Sequence, residues 1–230
     1  MKIFVDSADY NVFTKYKNNK IIKGFTTNPS LMRLAGAKNY KHYSIKLLNN
    51  SNSKPVSLEV FSDNLDEMYR QGLEINKWAK NIYVKIPVVN TKGKFTGNVI
   101  NKLSKNKVKL NITAVYTFNQ VKRVIKCLDK NTKSIISIFA GRMADQFKNP
   151  IPVFKKSITF SKRYKNLEIL WASTRETYNF KEAKKLGCNI ITAPPKIINQ
   201  IVSSKKTNQE LTIDTVKGFY IDAKKSNFKI

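Results

Sequence analysis

The chain has 230 residues, 41% of them hydrophobic, with 8 glycines and 7 prolines, which excludes a disordered tail, a collagen-like repeat and a low-complexity linker. A single histidine, His42, and two cysteines, Cys127 and Cys188, exclude a His-based triad with a spare base, a Cys/His zinc cage and a disulfide framework. The formal charge is +28, but it divides evenly between the two halves of the chain and rests on lysine with only six arginines, a composition that weighs against a nucleic-acid groove and leaves a positive field for small anions.

Short apolar runs alternate with helix-period segments from end to end. Strands are expected at 2–6, 21–26, 55–61, 81–86, 108–114, 133–139, 167–172 and 189–193. Between them, Leu65, Met68, Gly72, Ile75 and Ala79 share one helical face, as do Phe118, Val121, Ile125 and Leu128. Eight strands alternating with helices in a chain of this length predict an α/β protein, a single (β/α)8 TIM barrel over 1–230. An open doubly wound sheet is the runner-up, and no Gly-rich nucleotide loop follows any strand. The polar stretch 203–209 breaks the chain before an extra C-terminal helix at about 210–225, which has no strand left to cover and is expected to pack on a neighbouring subunit. The N-terminus reaches Asp6 without an apolar signal core, and no run approaches the ~18 apolar residues of a membrane span. A cytoplasmic protein without membrane association is expected.

Strand parity locates a candidate site. Successive side chains face opposite sides of a strand, and one side of a barrel strand points inward. If Ile82, Val84 and Ile86 meet the helices, Lys85 points inward. The same reasoning sends Glu59 inward from the third strand, Asn111 and Thr113 from the fifth, Ser137 and Phe139 from the sixth, and Asp6 from the end of the first. On the fifth strand Ala114 is expected to face out with Leu110 and Ile112. Buried unpaired charge costs several kcal/mol, so polar groups converging from five strands call for a function. They sit at the C-terminal strand ends, where barrel enzymes hold their active sites.

The chain resembles the transaldolases, in particular the small type related to the fructose-6-phosphate aldolases. The segments that carry the likeness are FVDSAD at 4–9, GFTTNPSL at 24–31, SLEV at 57–60, YVKIP at 83–87, LNITAVYT at 110–117, SIFAGRMAD at 137–145, WASTR at 171–175 and ITAPP at 191–195. They touch all eight strands. The sequence departs from the pattern at Ile138, where the family usually has proline. The resemblance implies a cofactor-free, metal-free transferase of the pentose phosphate pathway. Such an enzyme moves a dihydroxyacetone unit from fructose 6-phosphate or sedoheptulose 7-phosphate to glyceraldehyde 3-phosphate or erythrose 4-phosphate. It also implies that Lys85 forms a Schiff base and Asp6 takes the hydroxyl proton, while Glu59 and Thr113 hold a proton-shuttling water. Thr26, Asn28, Asn111 and Ser137 are implied as sugar contacts, and Arg142, Ser173 and Arg175 as the phosphate clamp. A homo-oligomer, a pentamer or decamer, is implied as well.

The chemistry is consistent with that likeness. At pH 7 only about one in 2,500 free lysines is the neutral nucleophile, so Lys85 needs activation. A nearby carboxylate favours the ammonium, so Glu59 is expected to be neutral, distant or screened by water. The nearest alternative is an aldolase that releases dihydroxyacetone; that branch typically has glutamine in place of Glu59 and tyrosine in place of Phe139. A non-catalytic polyanion-binding barrel is the remote alternative, and an isomerase without a Schiff base is disfavoured by Lys85.

Overall fold

The computed structural model describes residues 1–203 and 206–229. In chain order the elements are β1 (Lys2–Asp6), α1 (Tyr10–Tyr16), β2 (Ile22–Thr26), α2 (Pro29–Leu34), α3 (Tyr40–Asn49), β3 (Val56–Glu59), α4 (Leu65–Asn76), β4 (Ile82–Pro87), α5 (Gly97–Lys105) and β5 (Leu110–Val115). There follow α6 (Phe118–Cys127), β6 (Ser134–Phe139), α7 (Ala140–Ala144), α8 (Ile151–Ser161), β7 (Leu167–Ala172), α9 (Tyr178–Leu186), β8 (Ile190–Ala193), α10 (Pro195–Ser203) and α11 (Asn208–Lys225). The strands close into a parallel barrel in the order β1 to β8, with β8 pairing back onto β1. This is the TIM barrel expected from the alternation of strand and helix patterns.

Local sequence accounts for the helix starts. Asp9, Asn28, Asn39 and Asn64 each accept backbone N–H bonds at the beginning of α1, α2, α3 and α4. Thr117 and Gln120 form a reciprocal capping box on α6, as do Thr207 and Glu210 on α11. Each such cap satisfies donors that have no partner inside the helix, and each contributes about 1 kcal/mol. Two expected helical faces run past the observed ends. Ala79 lies beyond α4, which closes at Lys77 because the chain must turn back to enter β4 at Ile82, and Leu128 is extended at the end of α6. The C-terminal helix begins earlier than expected, at Asn208. Within the polar break, 203 belongs to α10, and 204–205 lie outside the described residues.

Two apolar layers result. The outward faces of the strands (Val56 and Leu58, Ile82 to Ile86 on alternate positions, Ile136 and Ile138, Ile169 and Trp171) are buried under the helices against Met68, Ile75, Val121 and Phe154. Inside the barrel a separate cluster of Phe4, Tyr83, Ile135, Leu170 and Ile190 packs the lower half, with Ala172 at its upper side against the Lys85 cavity. Removing a Leu, Ile or Phe side chain from water is worth about 1.5–3 kcal/mol, so both layers hold the strands at fixed register. The inner cluster also forms the floor on which the polar residues of the upper half stand.

One parity expectation fails. The β5–β6 register shifts between Ile112 and Val115, and Ala114 takes a left-handed φ of 57° instead of continuing the outward row. The bulge re-aims the end of β5, next to Thr113. Ile138, despite replacing the family's usual proline, stays within β6 and pairs with both Val115 and Trp171. Among the described residues no helix is long and apolar enough to cross a membrane.

Candidate active site

The sheet register brings the charged residues together. Glu59 lies beside Lys85, Lys85 beside Asn111, and Asp6 beside Thr26 on adjacent strands. Lys85 Nζ donates to the Thr27 carbonyl at 2.7 Å and sits 3.0 Å from Glu59 Oε2; its side chain is 7% exposed. Thr26 Oγ1 lies 2.6 Å from Asp6 Oδ1 and 2.6 Å from Thr192 Oγ1. Thr26 has one proton, so donating it to Asp6 requires Thr192 to donate to Thr26. Ser137 Oγ donates to Asn111 Oδ1 at 2.7 Å, and Asn111 Nδ2 donates to Ser57 Oγ at 3.0 Å. Thr113 Oγ1 is buried and has no hydrogen-bond partner among the described residues, an orphan hydroxyl lining the same cavity.

The electrostatics follow from burial. Asp6 is raised above its usual 3.8 chiefly because burial penalises its charge; Lys85 and the Thr26 hydroxyl pull it down, and Glu59 pushes it up. A carboxylate with a raised pKa is a stronger proton acceptor once ionised. Of the three conditions the sequence argument allowed for Glu59, the 3.0 Å contact with Lys85 removes distance and an intervening water and does not bear on neutrality. The two form a largely buried ion pair that sets a carboxylate oxygen within proton-transfer distance of Nζ. Tyr40 donates to the backbone carbonyl of Glu59 at 2.8 Å and anchors that strand end; burial raises its phenol.

A second group of residues forms the mouth. The cavity, about 160 Å³, is lined by Asp6, Lys85, Asn111, Thr113, Phe139 and Arg142, with Asn28 and Ser173 at its edge. Asn28 spends its oxygen on the Leu31 N–H at the start of α2, which leaves its amide nitrogen for the cavity. The backbone N–H of Arg142 donates to Ser173 Oγ at 3.2 Å, and Ser173 itself has a left-handed φ of 62°. Gly141 makes this contact possible, since a Cβ there would stand 1.8 Å from the Ser173 carbonyl oxygen. Arg142 lies over the Phe139 ring at 5.5 Å. Arg175 is held by Asp145 through Nε bonds of 3.2 and 3.1 Å and an Nη2 bond of 2.6 Å. Those bonds keep the exposed Asp145 carboxyl below its usual range.

Every residue singled out from the sequence therefore converges on one end of the barrel. Glu59 enters through its ion pair with Lys85, and the others line the cavity directly. Three contributors were missed. Thr192 and Ser57 were legible by the same parity argument, since Ile191 and Leu58 face outward beside them. Asp145 was not, because its pairing with Arg175 joins two loops across a sequence gap that carries no periodic signal. Among the described residues no group of three or more His, Cys, Asp and Glu is arranged to hold a metal ion.

The architecture is shared with barrels of little sequence likeness. The chain superposes on 3-hexulose-6-phosphate synthase from Salmonella typhimurium with a TM-score of 0.58 at 12% identity, covering 86% of this chain and 91% of that one. It superposes equally well on inosine 5′-monophosphate dehydrogenase from Legionella pneumophila, at 11% identity over 86% of this chain and 58% of that one. Sequence relatives are closer. A protein of Thermoanaerobacter sp. (strain X514) described as "Probable transaldolase" is 31% identical over 231 residues and the full length of both chains. One from Methanococcus maripaludis (strain C7) with the same description is 29% identical, covering 96% of this chain and 97% of its own. The sequence profile of the transaldolase/fructose-6-phosphate aldolase family matches residues 3–230. The chain belongs to the transaldolase/fructose-6-phosphate aldolase family.

Proposed function

We propose that the protein is a Schiff-base transaldolase acting on sugar phosphates, and the observation that carries this reading is the largely buried Lys85–Glu59 pair facing Asp6 in a polar cavity. Transfer of the Lys85 proton to Glu59 frees the amine to attack the ketone carbon of the donor sugar. Loss of water then leaves an iminium. Asp6 takes the proton of the C4 hydroxyl, the C3–C4 bond breaks, and its electron pair moves into the iminium to give an enamine. The aldose phosphate departs. The enamine carbon next attacks the aldehyde of an acceptor, whose oxygen recovers the proton from Asp6, and water releases the new ketose phosphate. The orphan hydroxyl of Thr113 and the carboxyl of Glu59 are the groups available to hold the water that these steps consume and return.

Asn28, Thr26, Asn111 and Ser137 offer donors and acceptors for the sugar hydroxyls. Arg142, Arg175 and Ser173 stand at the mouth, where a phosphate would compete with Asp145 for the Arg175 fork. Transfer is favoured over release of dihydroxyacetone by Phe139, whose ring lies in the cavity and brings no hydroxyl to orient a protonating water at the enamine. The test measures both products from fructose 6-phosphate with and without erythrose 4-phosphate. Sedoheptulose 7-phosphate and glyceraldehyde 3-phosphate should dominate, and Phe139→Tyr should shift the ratio toward free dihydroxyacetone. Release of dihydroxyacetone as the main product of the unaltered protein would assign it to the aldolase branch.

The assembly reading belongs here too. The barrel is complete over its eight strands, whereas α11 buries none of its 18 residues and exposes Leu211, Val216, Phe219 and Tyr220. Apolar side chains of that size on a free helix are explained by a neighbouring subunit covering them in a homo-oligomer, a pentamer or decamer. A cytoplasmic setting in the pentose phosphate pathway accords with this chemistry.

A further inference from the structure

The positive charge is even along the sequence but not in space. A (β/α)8 barrel returns the chain to the same end once per strand, so a residue type recurring at strand starts is gathered on one face. Each strand from β1 to β7 has a lysine within two residues of its first residue: Lys2, Lys23, Lys54, Lys80, Lys109 and Lys133 for β1 to β6, and Lys165 for β7. Glu168 is the single acid within the same distance of any strand start. This end is opposite the Lys85 cavity.

A cavity of about 280 Å³ opens at the centre of this face, lined by Lys2, Lys23, Phe4, Tyr83, Ile135 and Glu168, with Pro55 at its edge. Beside it the β1–β2 register shifts between Ile3 and Phe4, and the Phe4 ring packs over Gly24, where a Cβ would stand 2.6 Å from its Cζ. Lys109 stands 5.4 Å from the centre of the Tyr83 ring. Several of these lysines already have partners within the fold. Lys54 donates to the carbonyls of Tyr16 and Asn19, Lys109 donates to the carbonyl of Lys80, and Lys2 pairs with Glu168 at 2.9 Å. Lys23 and Lys133 are outside that account, since among the described residues neither makes an ion pair.

The lysines are close enough to repel one another. Burial lowers Lys54 and Lys109 below the usual lysine range, and the charges of Lys23 and Lys133 respectively lower them further. A multiply charged anion at the cavity would relieve both pairs. The chemistry favours phosphate groups in a compact ligand: the cations are point charges arranged around an opening, not along a groove. The aromatic floor is too covered to stack a base, with Phe4 2% and Tyr83 8% exposed.

We propose that the N-terminal mouth of the barrel is a binding site for a small oligophosphate, held by Lys2 and Lys23 at the cavity with Lys109 and Lys133 beside them. This site is independent of the sugar chemistry at the other end. Calorimetric titration with inorganic tripolyphosphate tests it. Saturable binding of one anion per chain is expected, weakened about tenfold or more by Lys23→Gln combined with Lys133→Gln, and tightened by Glu168→Gln, which removes the one opposing charge. Lys224→Gln with Lys225→Gln on α11 removes the same net charge elsewhere and should leave the affinity unchanged. ATP should bind no more tightly than tripolyphosphate. Equal losses in the two lysine pairs would reduce the effect to net charge and overturn the proposal. So would loss of binding in Arg142→Gln with the Lys23/Lys133 pair silent, which would put the anion at the opposite mouth. A double-stranded DNA fragment binding as tightly per phosphate would replace the compact site with a nucleic-acid surface.

Discussion

Asp6 is half-buried at the C-terminal end of β1, where desolvation raises its carboxyl above 3.8. Below its unfolded pKa the group is protonated in both states and costs nothing. Between the unfolded and folded values the native protein keeps a proton that the unfolded chain has lost, so stability declines as pH rises through this window. Above the folded value the whole penalty is present. Asp6→Asn should therefore raise the melting temperature at pH 7, and the gain should shrink toward zero as the pH falls below 3.8. The Thr26 hydroxyl can still donate to the asparagine oxygen, so the site keeps its shape. Activity should fall about a hundredfold or more, the usual contribution of a positioned proton acceptor. A melting temperature lowered by the substitution would contradict the assignment of Asp6 as a group held against its own solvation.

At the scale of elements, the site depends on how β6 runs into α7. Gly141 lets the first turn of α7 touch the end of β7, where the Arg142 N–H meets Ser173. Gly141→Ala would drive a methyl into the Ser173 carbonyl, and relieving that clash must move either α7 or the residue at φ 62°. A cost of about 1–3 kcal/mol in stability is expected, together with a raised KM for phosphorylated donors and a smaller change in kcat. Steady-state kinetics and a denaturant titration on the same variant check both. The inward positions of Lys85, Glu59, Asn111 and Ser137 were legible because their strands alternate strictly, and a period of two leaves one choice of face. The position of Ala114 was not legible, since a bulge adds a residue without altering the apolar pattern. Nor was the contact between Lys85 and Glu59, because parity gives the face of a residue and not the distance across neighbouring strands. The Asp145–Arg175 pair lies in loops, where no period exists to read.

For the whole molecule, a charge of +28 and an uncovered α11 act against each other. Apolar burial of Leu211, Val216, Phe219 and Tyr220 favours association, whereas like charge on every subunit opposes it. Salt shortens the reach of the repulsion, with a screening length of about 8 Å at physiological ionic strength. Light scattering should find the assembly growing as salt increases, and a chain ending at 203 should stay monomeric with the barrel intact by circular dichroism. An assembly unchanged by that truncation would place the interface elsewhere. The gathering of lysines at the barrel base belongs to the same scale. Equal charge in the two halves of the sequence says nothing about its distribution in a fold that revisits one end with every strand.

The covalent role of Lys85 is the central claim, and borohydride reduction in the presence of fructose 6-phosphate tests it most directly. Intact mass and peptide mapping should find a single reduced adduct on Lys85, with none on the other lysines and none in Lys85→Ala. A folded protein that gives no adduct, or one whose adducts scatter over surface lysines, would contradict the account.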